Sequence, residues 1–320
     1  SAGNFTNAPR LGSWAKTSLL FDDVEATAGW TIPSLAALMT GVHNTTMDAS
    51  AGYLPLHYHT AAEHLRAAGF QTHAVVDNVI VEPRSGFGQG FETFTQRSAF
   101  RFVFSLPSFR VLPRIVHDKI RSIWPTAYDG AQDVTDQAIV RMEQITSDDA
   151  PPFLYVHYMD PHAPYYPHPD IAPYPPETED VDYYHFRDVA RSDIEPDITK
   201  PQLARLEHRY AGEIAFLDSH LQRLLASWQE RFGSDTMVMI TSDHGEEFLD
   251  HGHLGHGHTV HREIVNVPLL WQFPTQVMAG FPNTHINHPL SQIDILPTTL
   301  EALGVIPQGP QTSPVMQGES

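Results

Sequence analysis

Six histidines fall within one short stretch: His244, His251, His253, His256, His258 and His261, with Asp243, Glu246, Glu247 and Asp250 among them. A solvated loop explains any one pair of histidines. This density beside four carboxylates points instead to metal or anion chemistry, because neutral imidazole and carboxylate together suit zinc, manganese and similar ions. Asp243 and His244 directly follow an apolar run, and in open α/β sheets ligands sit beyond the carboxyl ends of strands. His157-Tyr158-Met159-Asp160-Pro161-His162-Ala163-Pro164-Tyr165 occupies the same position after a second run. A third place is Thr31-Ile32-Pro33-Ser34. Pro33 suits a first helical turn and Gly41 closes the helix, so Thr31 lies at or just before the N-cap, in the positive field where an anion would bind. Plain N-capping accounts for a lone threonine equally well. Gly255-His256-Gly257 is the fourth place. Brought into one pocket, these residues would supply a nucleophile, metal ligands and proton donors.

The elements that must position them alternate. Thr72–Val76, Phe153–His157, Thr236–Thr241 and Val267–Trp271 are short apolar runs rich in β-branched and aromatic residues, and they read as buried strands. Helical periods lie at Thr60–Ala68, Gln132–Ile145, Gln202–Phe232 and Asp294–Leu303, closed by signals such as Gly69 and Gly304. The alternation predicts an α/β fold with a largely parallel central sheet flanked by helices. Ala163–Pro201 holds eight prolines and no sustained period. It reads as a lid-like loop within a single domain spanning residues 1–320, since loops of this length are usually functional or disordered.

Composition excludes several classes. The 320 residues carry 19 Lys+Arg against 38 Asp+Glu, a formal charge of −19. A phosphate backbone needs a basic surface, so nucleic acid is not an expected partner. A chain with no cysteine has no disulfides, no Cys-zinc site and no thiol nucleophile. No apolar run approaches the ~18 residues that span a bilayer, and Ser1–Phe5 has neither the basic nor the apolar part of a signal peptide.

These pieces, in this order, resemble the sulfatase family of the alkaline phosphatase superfamily nearly end to end. Thr31-Ile32-Pro33-Ser34 through Leu38-Met39-Thr40-Gly41 is similar to the family's nucleophile motif, and Phe153–Tyr165 to its "HYxDPHxPY" stretch. Gly86-Phe87 and Gly90-Phe91-Glu92 resemble its "GF…GF(D/E)" segment. Tyr210–Asp218 is similar to its long helix, Asp243-His244-Gly245-Glu246 to "DHGE", Val267-Pro268-Leu269 to "VPL", and Ile293–Thr298 to its last helix. The resemblance implies an alkaline-phosphatase/sulfatase-like sandwich that hydrolyses sulfate or phosphate esters with a divalent metal: zinc, manganese or calcium. Carried over by position, Thr31 is the nucleophile, and Asp243 and His244 are metal ligands. His162 contacts the ester or protonates the leaving oxygen, and His256 grips the anion. Asn78 and Tyr165 are expected to line the substrate pocket. The substrate would be a small-molecule, glycan or lipid ester, and relatives are often periplasmic, secreted or membrane-anchored.

The departures shape the expectation. Thr31 stands where sulfatases carry a Cys or Ser that is oxidised to formylglycine, and its Cβ methyl prevents that aldehyde. Leu35 replaces the usual Arg, and Val76-Asp77-Asn78-Val79 replaces a Gly-Lys-Trp-His motif. These changes favour phosphate mono- or diesters over sulfate. A phospho-group transferase in a membrane-anchored parent and a non-catalytic domain are the alternatives. The family's first strand, ending in an Asp pair that supplies metal ligands, finds no match ahead of Thr31, and Asp22 and Asp23 are set aside as substitutes. Val315–Ser320 is similar to a "GxSL" segment cut short. The expectation is therefore a chain truncated at both ends, without the first strand and half of the metal site.

Overall fold

The structure, a computed structural model, describes residues 5–47, 52–96, 130–146, 150–168, 170–172, 181, 183–190, 197–278, 280, 284–307 and 316–320. Its elements in chain order are α1 (Pro9–Ala15), β1 (Leu19–Phe21), β2 (Val24–Glu25), α2 (Thr31–Thr40), α3 (Ala61–Ala67), β3 (Gln71–Val76), β4 (Thr93–Gln96), α4 (Gly130–Gln144), β5 (Pro152–His157), α5 (Tyr183–Ala190) and α6 (Lys200–Phe232). They continue with β6 (Val238–Thr241), β7 (Glu247–Phe248), β8 (Leu254–Gly255), α7 (Arg262–Val265), β9 (Leu269–Gln272), β10 (His285–Ile286), β11 (Leu290–Ser291) and α8 (Ile295–Ala302).

Local chemistry sets the helix ends. Thr60 caps α3 in a reciprocal capping box with Glu63, and Thr199 caps the 33-residue α6 with Gln202 in the same way. All ten residues of α2 are buried, and Gly41 ends it in the left-handed region (φ 65°). Beyond α2, Met316–Ser320 packs back onto its end: the Gln317 amide donates to Gly41 O at 2.7 Å, and Gln317 Oε1 accepts from the His43 amide at 2.8 Å. Val315, the start of the C-terminal motif, lies outside the described residues.

The expected α/β architecture is present, and its sheets are mixed. β4, β3 and β5 form an all-parallel sheet in that order. A second sheet runs β10-β1-β9-β6, and in it β9 is antiparallel to both β1 and β6. The largely parallel expectation thus holds for the first sheet and not for the second. After β6 the chain makes its histidine-rich excursion beyond the strand's carboxyl end and returns from that end, so β9 must run the opposite way. β5 and β6 are each an edge strand of their sheet, and the ends that carry His157 and Asp243 come together. The main core packs α2 residues Ile32, Leu35, Ala36 and Leu38 against Ala74 and Val76 of β3 and Leu269 and Trp271 of β9. α4 packs on α6 and on the parallel sheet.

The segment 163–201 contains a helix, α5, which a reading based on its prolines does not anticipate. Much of the rest of that segment lies outside the described residues. Among the described residues, no helix is long and apolar enough to cross a membrane.

Candidate active site

α2 begins at Thr31 itself. Trp30 occupies the N-cap with no side-chain cap, so the first-turn amides and the dipole's positive end are left for an anion. Thr31 Oγ1 lies 3.5 Å from His244 Nε2. Ser34, one turn on, fixes this approach. Its hydroxyl is bonded to Gln292 Oε1 at 2.7 Å and to the Asp243 carbonyl, while Gln292 Nε2 donates to Ser242 O at 2.6 Å. Both side chains are fully buried. They fasten the turn after β6 to α2, and Gln292 was not singled out in the sequence.

The Asp243-His244-Gly245 turn is tight. The Gly245 amide donates to Ile264 O at 2.6 Å, and a Cβ on Gly245 would sit 2.0 Å from Glu263 O. Only glycine fits between β6 and α7. The His244 ring is oriented by Nδ1–H donation to Gly245 O at 2.8 Å. A carbonyl only accepts, so Nδ1 carries a proton, and Nε2 is the nitrogen turned towards Thr31 and Asp243. Burial works to raise the Asp243 pKa, but His244, His157 and the Thr31 hydroxyl outweigh it and hold the carboxyl below its usual range. An ionised carboxylate beside an imidazole whose far nitrogen is anchored to backbone is the donor set of a divalent-metal half-site. Asp243 and His244 fit such an ion.

His256 and His162 complete this face. The His256 ring centroid is 4.2 Å from that of His244 and 4.9 Å from that of His162. His256 Nδ1 is 2.8 Å from Glu246 Oε1, and His162 Nδ1 is 2.6 Å from Ala163 O. Burial, then the neighbouring His256 ring, lowers the His162 pKa to about 4, so His162 is neutral at pH 7. Glu246 is held below the usual carboxylate range: burial pushes it up, but bonding to His256 and the rings of His256 and His162 prevail, with help from the Tyr165 hydroxyl.

Asn78 and Tyr165 stand differently. Asn78 is buried, its Nδ2 3.4 Å from His157 Nε2 and its Oδ1 accepting from the Ile80 amide at 3.1 Å. His157 has its Nδ1 2.9 Å from the Tyr155 hydroxyl, and burial lowers its pKa against the pull of Asp243 and Asp77. His157 thereby joins the β3–β5 end to Asp243. The signal for it was a lone polar residue closing an apolar strand. Tyr165 is buried, with its hydroxyl 2.8 Å from Glu246 Oε2. It meets the pocket through Glu246 rather than by lining it. Asp22 lies 3.7 Å from His285, and Asp23 is bound to Arg262 at 3.0 Å, so both are engaged elsewhere.

The other histidines of the cluster form a second assembly. Glu247, His251 and Glu263 bring three ligand atoms within 4.8 Å of one another and could hold a cation. The Glu247 carboxylate already accepts from the amides of His251 and His253 and from the Thr259 hydroxyl, at 3.0–3.1 Å. His251 Nδ1 bonds to Glu263, and the ring stacks on His261 at 3.7 Å.

The uncharacterized sulfatase YidJ of Escherichia coli (strain K12) is 25% identical over 187 residues, covering 53% of this chain and 35% of YidJ. Human iduronate 2-sulfatase is 29% identical over 142 residues, covering 37% of this chain and 26% of that protein. The chain thus spans about a third or less of the length of these curated relatives. The phosphonate monoester hydrolase of Agrobacterium radiobacter shares the fold with a TM-score of 0.68 at 20% identity, over 98% of this chain and 73% of that one. A protein solved with its substrate D-glucosamine-2-N,6-O-disulfate gives 0.67 at 18% identity, over 98% and 74%. The zinc complex of the C-terminal periplasmic domain of EcEptC from Escherichia coli gives 0.66 at 15%, over 95% and 78%. The sequence profile of the Sulfatase family matches residues 2–305, and the chain belongs to that family.

Proposed function

We propose that this chain is the catalytic part of a metal-dependent hydrolase of sulfate or phosphate esters, with Thr31 as nucleophile and phosphate mono- or diesters preferred. The observation that carries the proposal is the position of Thr31 Oγ1. It stands at an uncapped helix N-terminus, 3.5 Å from His244 Nε2, and helps to hold Asp243 ionised. A divalent ion held by Asp243 and His244 would neutralise the ester's charge and polarise its bond to the leaving oxygen.

The remaining chemistry belongs to the chain. The first-turn amides of α2 orient the anion over Thr31. Thr31 releases its hydroxyl proton to solvent, its Oγ attacks phosphorus or sulfur, a new ester bond forms on Thr31, and the bond to the leaving oxygen breaks. His256 and His162 line the opposite face. His162 is neutral before substrate arrives, and an adjacent anion favours its protonated form, which then gives its proton to the leaving oxygen. In the second step water gives a proton to the now neutral His162 and attacks the Thr31 ester; the bond to Thr31 Oγ breaks, phosphate or sulfate is released, and the hydroxyl takes a proton from solvent. Thr31 cannot form a formylglycine hydrate, and Asp77 and Val79 stand where the family motif has its Lys and His, so the phosphate reading is favoured. Within this single domain the 163–201 segment sets specificity, through Tyr165 beside Glu246 and Tyr183 beside Gly255. The neighbour solved with a disulfated glucosamine supports a glycan ester as one substrate class.

Release of nitrophenol from nitrophenyl phosphate, phosphodiester and sulfate, with manganese or zinc, tests this directly. Release from the phosphates with little from the sulfate is expected. Transfer of the phospho-group to an added alcohol without net hydrolysis would indicate a transferase. Silence with every ester and metal would indicate a domain without turnover.

A further inference from the structure

We propose that Glu246 is a positioning residue that ties the caged Tyr165 hydroxyl to the orientation of His256. Its functional consequence rests on the reading of His256 given above. Its geometry stands apart from that reading.

The Glu246 side chain is only 6% exposed, and its two oxygens are divided between two partners. Oε1 lies 2.8 Å from His256 Nδ1, and Oε2 accepts from the Tyr165 hydroxyl at 2.8 Å. A carboxylate offers only acceptors, so the His256 proton must sit on Nδ1. Nε2, the nitrogen away from Glu246, is then the one left for a ligand on the ring packed between His162 and His244. A carboxylate that fixes a ring's tautomer and plane in this way governs what the ring can bind.

The partner on Oε2 ties this dyad to the 163–201 segment. The Tyr165 ring is buried in a cage made by Tyr183, Tyr210 and Phe248, with centroids 5.2, 5.4 and 5.7 Å away. Tyr183, at the start of α5, also reaches the other side of His256. Gly255 has φ +91°, and a Cβ on it would stand 2.5 Å from the Tyr183 hydroxyl. The segment therefore touches both the carboxylate that holds the His256 ring and the backbone immediately before it. Without the Tyr165 hydroxyl, Glu246 loses a donor and the hold on the His256 ring is weakened.

The test combines nitrogen-15 NMR of the histidine rings with kinetics on a nitrophenyl phosphodiester. In the unaltered chain His256 is expected to carry its proton on Nδ1, and Glu246→Ala to abolish that signature. Glu246→Ala should lower kcat/KM by about 10–100-fold. Glu246→Gln, whose carbonyl still accepts from Nδ1, should recover most of it. Tyr165→Phe, which keeps the cage, should lose several-fold, and adding it to Glu246→Ala should cost nothing more. An unprotonated Nδ1 on His256 in the unaltered chain would overturn the proposal, as would losses from Tyr165→Phe and Glu246→Ala that multiply independently. If the unaltered chain turns over no ester, the hydrolase reading fails, and the ring signature in the Tyr165→Phe and Glu246→Gln chains still decides the role of Glu246.

Discussion

Glu246 and Glu247 are adjacent in sequence and serve different halves of the same histidine cluster. Glu246 turns inward, to His256 and Tyr165, at the face that also holds Thr31 and His244. Glu247, fully buried at the start of β7, gathers the amides of His251 and His253 and the Thr259 hydroxyl. Glu246 directly precedes β7 and Glu247 opens it, and the two carboxylates bond different partners and so sort the histidines between them. The inner group leaves ring nitrogens for a ligand. The outer group gathers about the Glu247 carboxylate, which the excursion's own amides and the Thr259 hydroxyl hold in place. Residue types alone do not distinguish a reactive cluster from a structural one; what matters is whether the polar atoms already have protein partners.

This contrast can be broken by substitution. The largest effect belongs to Thr31→Ala, which should lower turnover by at least about 1,000-fold while the melting temperature stays near that of the unaltered chain; steady-state kinetics and calorimetry read both. Next comes Glu247→Ala. It leaves two amides and a hydroxyl without their buried acceptor, and about 3 kcal/mol or more of stability should be lost in urea titration. If Glu247→Ala proved harmless to stability, the outer group would not be structural. A smaller effect separates His256→Ala from His251→Ala. The first should reduce kcat/KM with little change in stability. The second, at a half-exposed ring paired with Glu263, should cost about 1 kcal/mol and leave kcat/KM nearly unchanged.

The smallest effect is on the pH dependence of stability. Burial, then His59, lowers the pKa of His64 in α3 to about 4, and His162 falls similarly. Between the ordinary histidine value of about 6.5 and about 4, the unfolded chain binds these protons and the folded chain does not. Stability contributed by keeping these rings neutral is thus present above about 6.5 and lost as pH falls towards 4. Replacing His64 by Gln should remove up to one proton, about 1.4 kcal/mol per pH unit, from that slope in urea titrations across the range, without touching the pocket.

Much of this was legible in the sequence where the signal was local and repeated. Thr60 with Glu63, Gly41 after α2, and the long stripe of α6 announce helices through capping and period, and the observed ends agree closely with the expected ones. Apolar runs marked β3, β5, β6 and β9. The two-residue strands β2, β7, β8, β10 and β11 are too short to show any alternation, and with β7 hidden the different partners of Glu246 and Glu247 were hidden too. α5 was obscured by the prolines around it. The ordering of Thr31, Asp243, His244, His162 and His256 carried the pocket's membership. Their supports, Ser34 with Gln292 and His157 with Asn78, depend on contacts between residues more than 70 positions apart, which no spacing rule reveals. Tyr165 was identified as a pocket residue, but its partner, Glu246, is what gives it a part.

The most direct test of the central claim is to mix the chain with a nitrophenyl phosphodiester and manganese, quench it early, and map phosphorylation by mass spectrometry. The account predicts a burst of nitrophenol and a phosphoester on the peptide containing Thr31, both absent in Thr31→Ala. Hydrolysis that proceeds with Thr31 unmodified, or undiminished in the alanine variant, would contradict it.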